Sequence, residues 1–138
     1  MVKNFSFNLE TRGFNDIIDI SGEVFGLIRR SGMSNAHALV FSAGSTCGIT
    51  TIEFESGAVA DLAACMERIA PQDIGYRHNL RWGDGNGFSH VRAALMNASF
   101  SFPVIDGEPH LGTWQQIVLL DFDNKPRTRK VIVQLGGE

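Results

Sequence analysis

Ile117-Val118-Leu119-Leu120-Asp121-Phe122 is the stretch on which the fold turns. Successive side chains of a strand point to opposite sides, so Ile117, Leu119 and Asp121 share one face and Val118, Leu120 and Phe122 the other. Apolar residues on both faces mean that both faces are covered. Downstream, Asp123-Asn124-Lys125-Pro126 turns the chain, and Val131, Val133 and Leu135 build a last strand with Ile132 apolar between them. Upstream, Phe100, Phe102 and Val104 alternate with Ser99, Ser101 and Pro103, and Asp106-Gly107 is a hairpin signal.

Toward the N-terminus the pattern becomes mixed. Phe5, Phe7 and Leu9 alternate with polar residues as in a half-buried strand, and Asp16 to Ile20 is a second short extended piece after the Thr11-Arg12-Gly13 turn. Ser21 is placed to cap a helix carrying Val24, Leu27, Ile28 and Ser31 on one face, ended by Gly32. His37 to Ser42 and Gly48 to Phe54 read as strands. A helix opening at Ser56 or Gly57 puts Val59, Leu62, Ala63, Met66 and Ile69 on one stripe and stops before Pro71. A third, shorter helix runs from about Ser89 to Met96. Seven or so strands with three helices predict one α+β domain over residues 1–138, its sheet largely antiparallel. Strands apolar on both faces need more cover than three helices supply, which predicts a homo-oligomer.

Composition narrows the function classes. The chain is 43% hydrophobic with a formal net charge of −3, which gives no electrostatic footprint for nucleic acid. The basic residues Lys125, Arg127, Arg129 and Lys130 read as a turn between strands. No apolar run approaches membrane-spanning length, no basic amphipathic helix suggests membrane association, and the first residues lack an apolar signal core. Cys47 and Cys65 lie in different elements outside any CxxC pair, so reduced thiols and a cytoplasmic protein are expected.

The chemistry concentrates in Tyr76-Arg-His-Asn-Leu-Arg-Trp-Gly-Asp-Gly-Asn-Gly-Phe-Ser-His-Val-Arg92, which holds two histidines, three glycines and no aliphatic stripe. Glycines allow close approach, while His, Asp, Asn and Arg supply donors, acceptors and charge. If the segment folds back, His78 and His90 face one cavity with Asp84 and Asn86 between them. Imidazoles with a carboxylate are the ingredients of a divalent metal site, although the spacing matches no fixed ligand pattern. The same groups could instead hold a phosphate, with Arg92 and the following helix N-terminus adding positive potential. The plainer alternative leaves His78 on the surface and His90 in a first helical turn.

Three further places remain open on the residues alone. Gly44-Ser45-Thr46-Cys47-Gly48 either presents N–H groups and hydroxyls to an anion or makes a tight bend. Glu53 either faces solvent or is buried with a raised pKa as a proton carrier. Gln115 or Gln116 either closes a pocket or bonds across a subunit interface.

Ser45-Thr46-Cys-Gly-Ile-Thr-Thr-Ile-Glu53, Asp84-Gly-Asn86 leading to His90-Val-Arg-Ala, Leu111-Gly-Thr-Trp-Gln115 and the terminal Val133-Gln-Leu-Gly-Gly-Glu138 resemble, in this order, the YjbQ-like family, whose members are called secondary thiamine-phosphate synthases. The resemblance implies a two-sheet β-sandwich, a homotrimer, and a weak transferase joining the pyrimidine of a hydroxymethylpyrimidine diphosphate to a thiazole phosphate. By position it implies that His78, Asp84, Asn86 and His90 form the family's polar cluster, with Glu53, Thr113 and Gln115 at its other characteristic polar positions.

In the role so implied, His90, Glu53 and Asp84 are catalytic candidates. Ser45, Thr46, Asn86, Arg92, Thr113 and Gln115 position the substrate, and His78 with His90 are candidate ligands of a divalent metal, Mg²⁺ or Zn²⁺. The alternative is a non-catalytic trimeric binder of a small anionic or phosphorylated metabolite. Two positions depart from the family pattern: one branch has His at Gly44, and another has His at Phe88, which would remove a third nitrogen ligand here.

Overall fold

Eight strands and four helices follow one another in the computed structural model, which describes all of residues 1–138. In chain order they are β1 (Val2–Thr11), β2 (Asp16–Asp19), α1 (Ser21–Ser31), β3 (Ala36–Ser42), β4 (Cys47–Ile52) and α2 (Ser56–Ile69). These are followed by α3 (Arg77–Trp82), α4 (Gly87–Met96), β5 (Ser99–Ile105), β6 (Glu108–Pro109), β7 (Gln116–Asp121) and β8 (Arg127–Gly137). Two antiparallel sheets result, one ordered β1-β8-β3-β5-β6 and the other β2-β7-β4. The architecture is the expected α+β fold with two sheets, and no helix is long and apolar enough to cross a membrane.

The alternation in β7 sorts its side chains into two cores. Ile117 and Leu119 join Val40, Val131, Val133 and Leu135 between the sheets, together with Val24 and Ile28 of α1. Val118, Leu120 and Phe122 point the other way, onto Met66 of α2 and Ala93 of α4. Each of these β7 side chains is fully buried, which contributes about 1.5–3 kcal/mol apiece. The second face of β7 is thus covered by the chain's own helices. The premise that it needs another subunit is corrected.

Helix ends depart from expectation in instructive ways. Ser21 does not cap α1; its Oγ accepts from the Ile117 N–H at 2.9 Å, which ties the helix start to β7. Gly32 ends α1 in the left-handed region, as expected. The cap of α2 is Glu55, whose carboxylate accepts from the Gly57 and Ala58 N–H groups at 2.7 and 2.8 Å. On α2 the stripe holds through Met66, but Ile69 points to solvent. The polar segment contains an unexpected fourth helix, α3, because six residues without a side-chain cap give no periodic signal. Gly87 lets α3 meet α4: a Cβ there would lie 2.6 Å from Tyr76 Cβ, and the Gly87 N–H donates to Asn79 Oδ1 at 2.9 Å.

Candidate functional site

Cys47 pairs with Asp121 across the β4–β7 ladder, so the Gly44–Thr46 bend sits beside the Asp121–Asp123 end of β7. The first residues of β8 and the α3–α4 pair close the remaining sides. Between them opens a solvent-facing cleft of about 390 Å³, lined almost entirely by polar side chains.

One wall is a pair of imidazoles. His78 on α3 and His90 on α4 lie with ring centroids 4.3 Å apart and planes tilted by 40°. Asp84 Oδ1 is 3.5 Å from His78 Nδ1, and that buried nitrogen has no hydrogen-bond partner. Burial lowers the His90 pKa from its usual 6.5, and His78 lowers it further, against smaller opposing effects of Asp123 and Asp84. His90 is therefore neutral at pH 7 and able to accept a proton.

The floor is a buried ionic lattice. Arg129 donates from Nε and Nη2 to the two oxygens of Asp121 at 2.7 and 2.9 Å, a bidentate pair. Its Nη2 also donates to Thr46 Oγ1 at 2.6 Å, and that hydroxyl donates onward to Asp123 Oδ2 at 3.1 Å. Arg127 Nε donates to the same Asp123 oxygen at 2.9 Å, while Thr11 Oγ1 donates to Asp121. Burial on its own would raise the Asp123 pKa; hydrogen bonds from Asn86, the Asn124 N–H, Thr46 and Arg127 outweigh it and hold the group below its usual range. Gly44 is shaped by this lattice too, since a Cβ there would stand 2.8 Å from Arg129 Nη1.

Asn86 joins wall to floor. Its amide nitrogen donates to Asp123 Oδ1 at 3.2 Å, while Oδ1, on a residue only 5% exposed, is buried with no partner. A buried acceptor without a donor is costly, and at a cleft wall the donor of a water or a ligand would relieve it.

Of the residues singled out from sequence, Ser45, Thr46, His78, Asp84, Asn86 and His90 come together in this cleft. Others do not. Arg92 is fully buried, with all three guanidinium nitrogens engaged by Ala70 O, Asn15 Oδ1 and Glu67, so it is a structural cation out of a substrate's reach. Glu53 lies past the far end of β4, about 20 Å along the strand from Thr46. It lines a separate cleft with Asp19, Glu55 and Trp114.

Thr113 and Gln115 are exposed in the loop before β7, where Gln115 Oε1 accepts from the Gly112 N–H at 2.7 Å. Phe88 is buried with its ring under the Arg92 guanidinium at 4.9 Å. Residues two apart on a helix diverge by about 200°, so a side chain at 88 points away from the cleft and its identity removes no ligand there.

The sequence reading missed Asp121, Asp123, Arg127 and Arg129, the charged members of the lattice. No three His, Cys, Asp or Glu side chains converge here, so the donor set lacks the three protein ligands of a resident zinc ion.

The family described as "UPF0047 protein YjbQ-like" matches residues 5–138. A UPF0047 protein of Methanothermobacter thermautotrophicus is 39% identical over 89% of this chain and 84% of its own. Among solved structures, an uncharacterised YjbQ/UPF0047 protein from Clostridium acetobutylicum is 31% identical with a TM-score of 0.87, covering 96% of this chain and 99% of that one. A protein of unknown function from Sulfolobus solfataricus superposes over 100% of both chains with a TM-score of 0.90 at 28% identity.

Proposed function

The chain belongs to the YjbQ-like UPF0047 family, and from that premise we propose that its polar cleft is a low-turnover transferase site for phosphorylated heterocycles, of the thiamine-phosphate synthase type. The observation that carries this reading is the partnerless Asn86 Oδ1 in a cleft that His90 also lines. An aminopyrimidine presents the exocyclic amine that such an acceptor lacks. The terminal nitrogens of Arg127, which make no hydrogen bond within the chain, and the Ser45 hydroxyl face the same space and suit the diphosphate.

In the reaction, the lone pair of the thiazole nitrogen forms a new C–N bond to the pyrimidine methylene. The C–O bond to the diphosphate breaks, and pyrophosphate leaves with that electron pair. His90 accepts a hydrogen bond from the exocyclic amine, which strengthens as the ring carbon becomes electron-poor. Asn86 orients the amine, the His78 ring packed against His90 keeps that ring in place, and no step runs through a metal.

A second reading, a non-catalytic binder of a small phosphorylated metabolite, is favoured by the charge pattern. Arg129 and Arg127 are each paired with a buried carboxylate, so little positive potential is left to stabilise a departing diphosphate. The deciding experiment assays wild-type protein for thiamine phosphate, beside calorimetry with each substrate. Product above a protein-free control is expected; binding without product would select the second reading, and neither would remove both.

We also propose that the protein is a homotrimer in the cytoplasm. The support is apolar surface left open: Leu80 is 88% exposed, Trp114 68% and Trp82 66%. Light scattering is expected to give about 45 kDa, three copies of the 15.1 kDa chain; a 15.1 kDa particle at micromolar concentration would sink the idea.

A further inference from the structure

Gly44, Ser45 and His90 belong to two cavities at once. On the far side of His90 from the polar cleft, a groove of about 350 Å³ runs over Cys47, Ala93, Ala94 and Ala98 to Asn97. The two spaces differ in chemistry although they share a wall. The cleft carries Asp84, Asp123, Arg127 and Arg129, whereas no carboxylate, lysine or arginine lines the groove.

We infer that this groove is a second subsite, one that takes the planar ring of the heterocyclic reactant, with that reactant's own phosphate left at the open mouth, and brings the reacting ring atom against the contents of the polar cleft at His90. The inference rests on the reading of the polar cleft as the seat of the diphosphate-bearing reactant. Gly44 and the small side chains at 47, 93, 94 and 98 leave room for a ring, and with no cation in the lining the reactant's phosphate stays toward solvent. Burial raises the Cys47 pKa, so its thiol adds no charge either.

At the far end, Asn97 holds φ 72 and ψ 159, a conformation suited to glycine, fixed because its carbonyl accepts from the Ile49 N–H at 3.1 Å. Its side-chain amide bonds nothing within the chain and offers a polar handle to the outer edge of a bound ring. Each space is near the lower end of the roughly 300–1,000 Å³ usual for ligand sites, which suits two small reactants better than one large ligand. A two-reactant transfer needs such an arrangement, because the gain from proximity requires both partners to be held at once.

The probes are 4-methylthiazole, the ring alone, and inorganic pyrophosphate, the anion alone, each titrated into the full chain and followed by amide NMR. The ring is expected to shift Ala94, Asn97 and Ala98, and pyrophosphate to shift Ser45, Thr46 and Asn86. Ala94→Leu fills the trough from an exposed helix position, where the fold tolerates it. It is expected to weaken the ring by about tenfold or more while leaving pyrophosphate within about twofold.

Ring shifts centred on Asp84 and Asn86, no ring shifts at saturating probe, or undiminished ring binding in Ala94→Leu would each overturn the subsite. Absence of thiamine phosphate formation with the ring still in the groove would overturn the proposed reaction and leave the subsite standing. Product formation with the ring confined to the polar cleft would do the reverse.

Discussion

Arg129→Ala is expected to lower the unfolding free energy by about 3–5 kcal/mol, because it strands a buried carboxylate. Arg129 is 7% exposed and Asp121 0%, and the pair is bidentate. Without the guanidinium, Asp121 keeps only the Thr11 hydroxyl and the Asp123 N–H, and Thr46 Oγ1 loses its donor. For a chain of this size the loss is about 10 °C or more in Tm. Urea denaturation at pH 7 measures it, and a loss under about 1 kcal/mol would show that water replaces the guanidinium. A double variant, Arg129→Met with Asp121→Leu, is expected to recover most of the stability, since neither charge then remains to be paired.

The second large effect is on turnover. His90→Ala is expected to slow thiamine phosphate formation by about 100-fold, the lower range for removing one hydrogen-bond partner that strengthens in the transition state. In the wild type the active form is the neutral imidazole, whose pKa lies below 6.5. The rate is therefore expected to be flat near pH 7 and to fall as pH drops through that lowered value. A rate for His90→Ala within about twofold of wild type would remove His90 from the mechanism.

The same shifts set the acid side of stability. A histidine whose folded pKa is lowered contributes stability above the unfolded value of about 6.5, lost as pH falls through the folded value. Asp123, also lowered, contributes above its ordinary 3.8, and that share is lost at still lower pH.

Much of the fold was legible because its signals are local and periodic. The two-faced β7, the Phe100–Val104 alternation and the Asp106-Gly107 hairpin each specify themselves within a few residues. α3 was not legible, being held by a contact at Gly87 rather than by its own pattern.

At the site, the His78–His90 pairing followed from a segment too polar to be a connector. The lattice beneath it was overlooked although two clues stood in the sequence. Asp121 shares a face with Ile117 and Leu119, so it has to be buried with a partner. Arg129 shares a face with Val131, Val133 and Leu135, so it points inward rather than to a turn surface. Arg92 misled in the opposite direction: nothing in its local sequence reveals that Ala70, Asn15 and Glu67 take up its donors.

The doubly apolar β7 has one more consequence. In a strand with one wet face, a slip of one residue would expose its apolar set and is thereby forbidden. β7 lacks that safeguard, because Val118, Leu120 and Phe122 would fill the space between the sheets about as well as Ile117 and Leu119 do. Asp121 supplies the missing discrimination. Displaced by one position, its carboxylate would turn toward the helix layer, away from Arg129, and be buried unpaired. The single charge in an otherwise oily strand thus acts as its alignment mark, and the ion pair serves to choose one arrangement over its shifted twin more than to add to the depth of the native well.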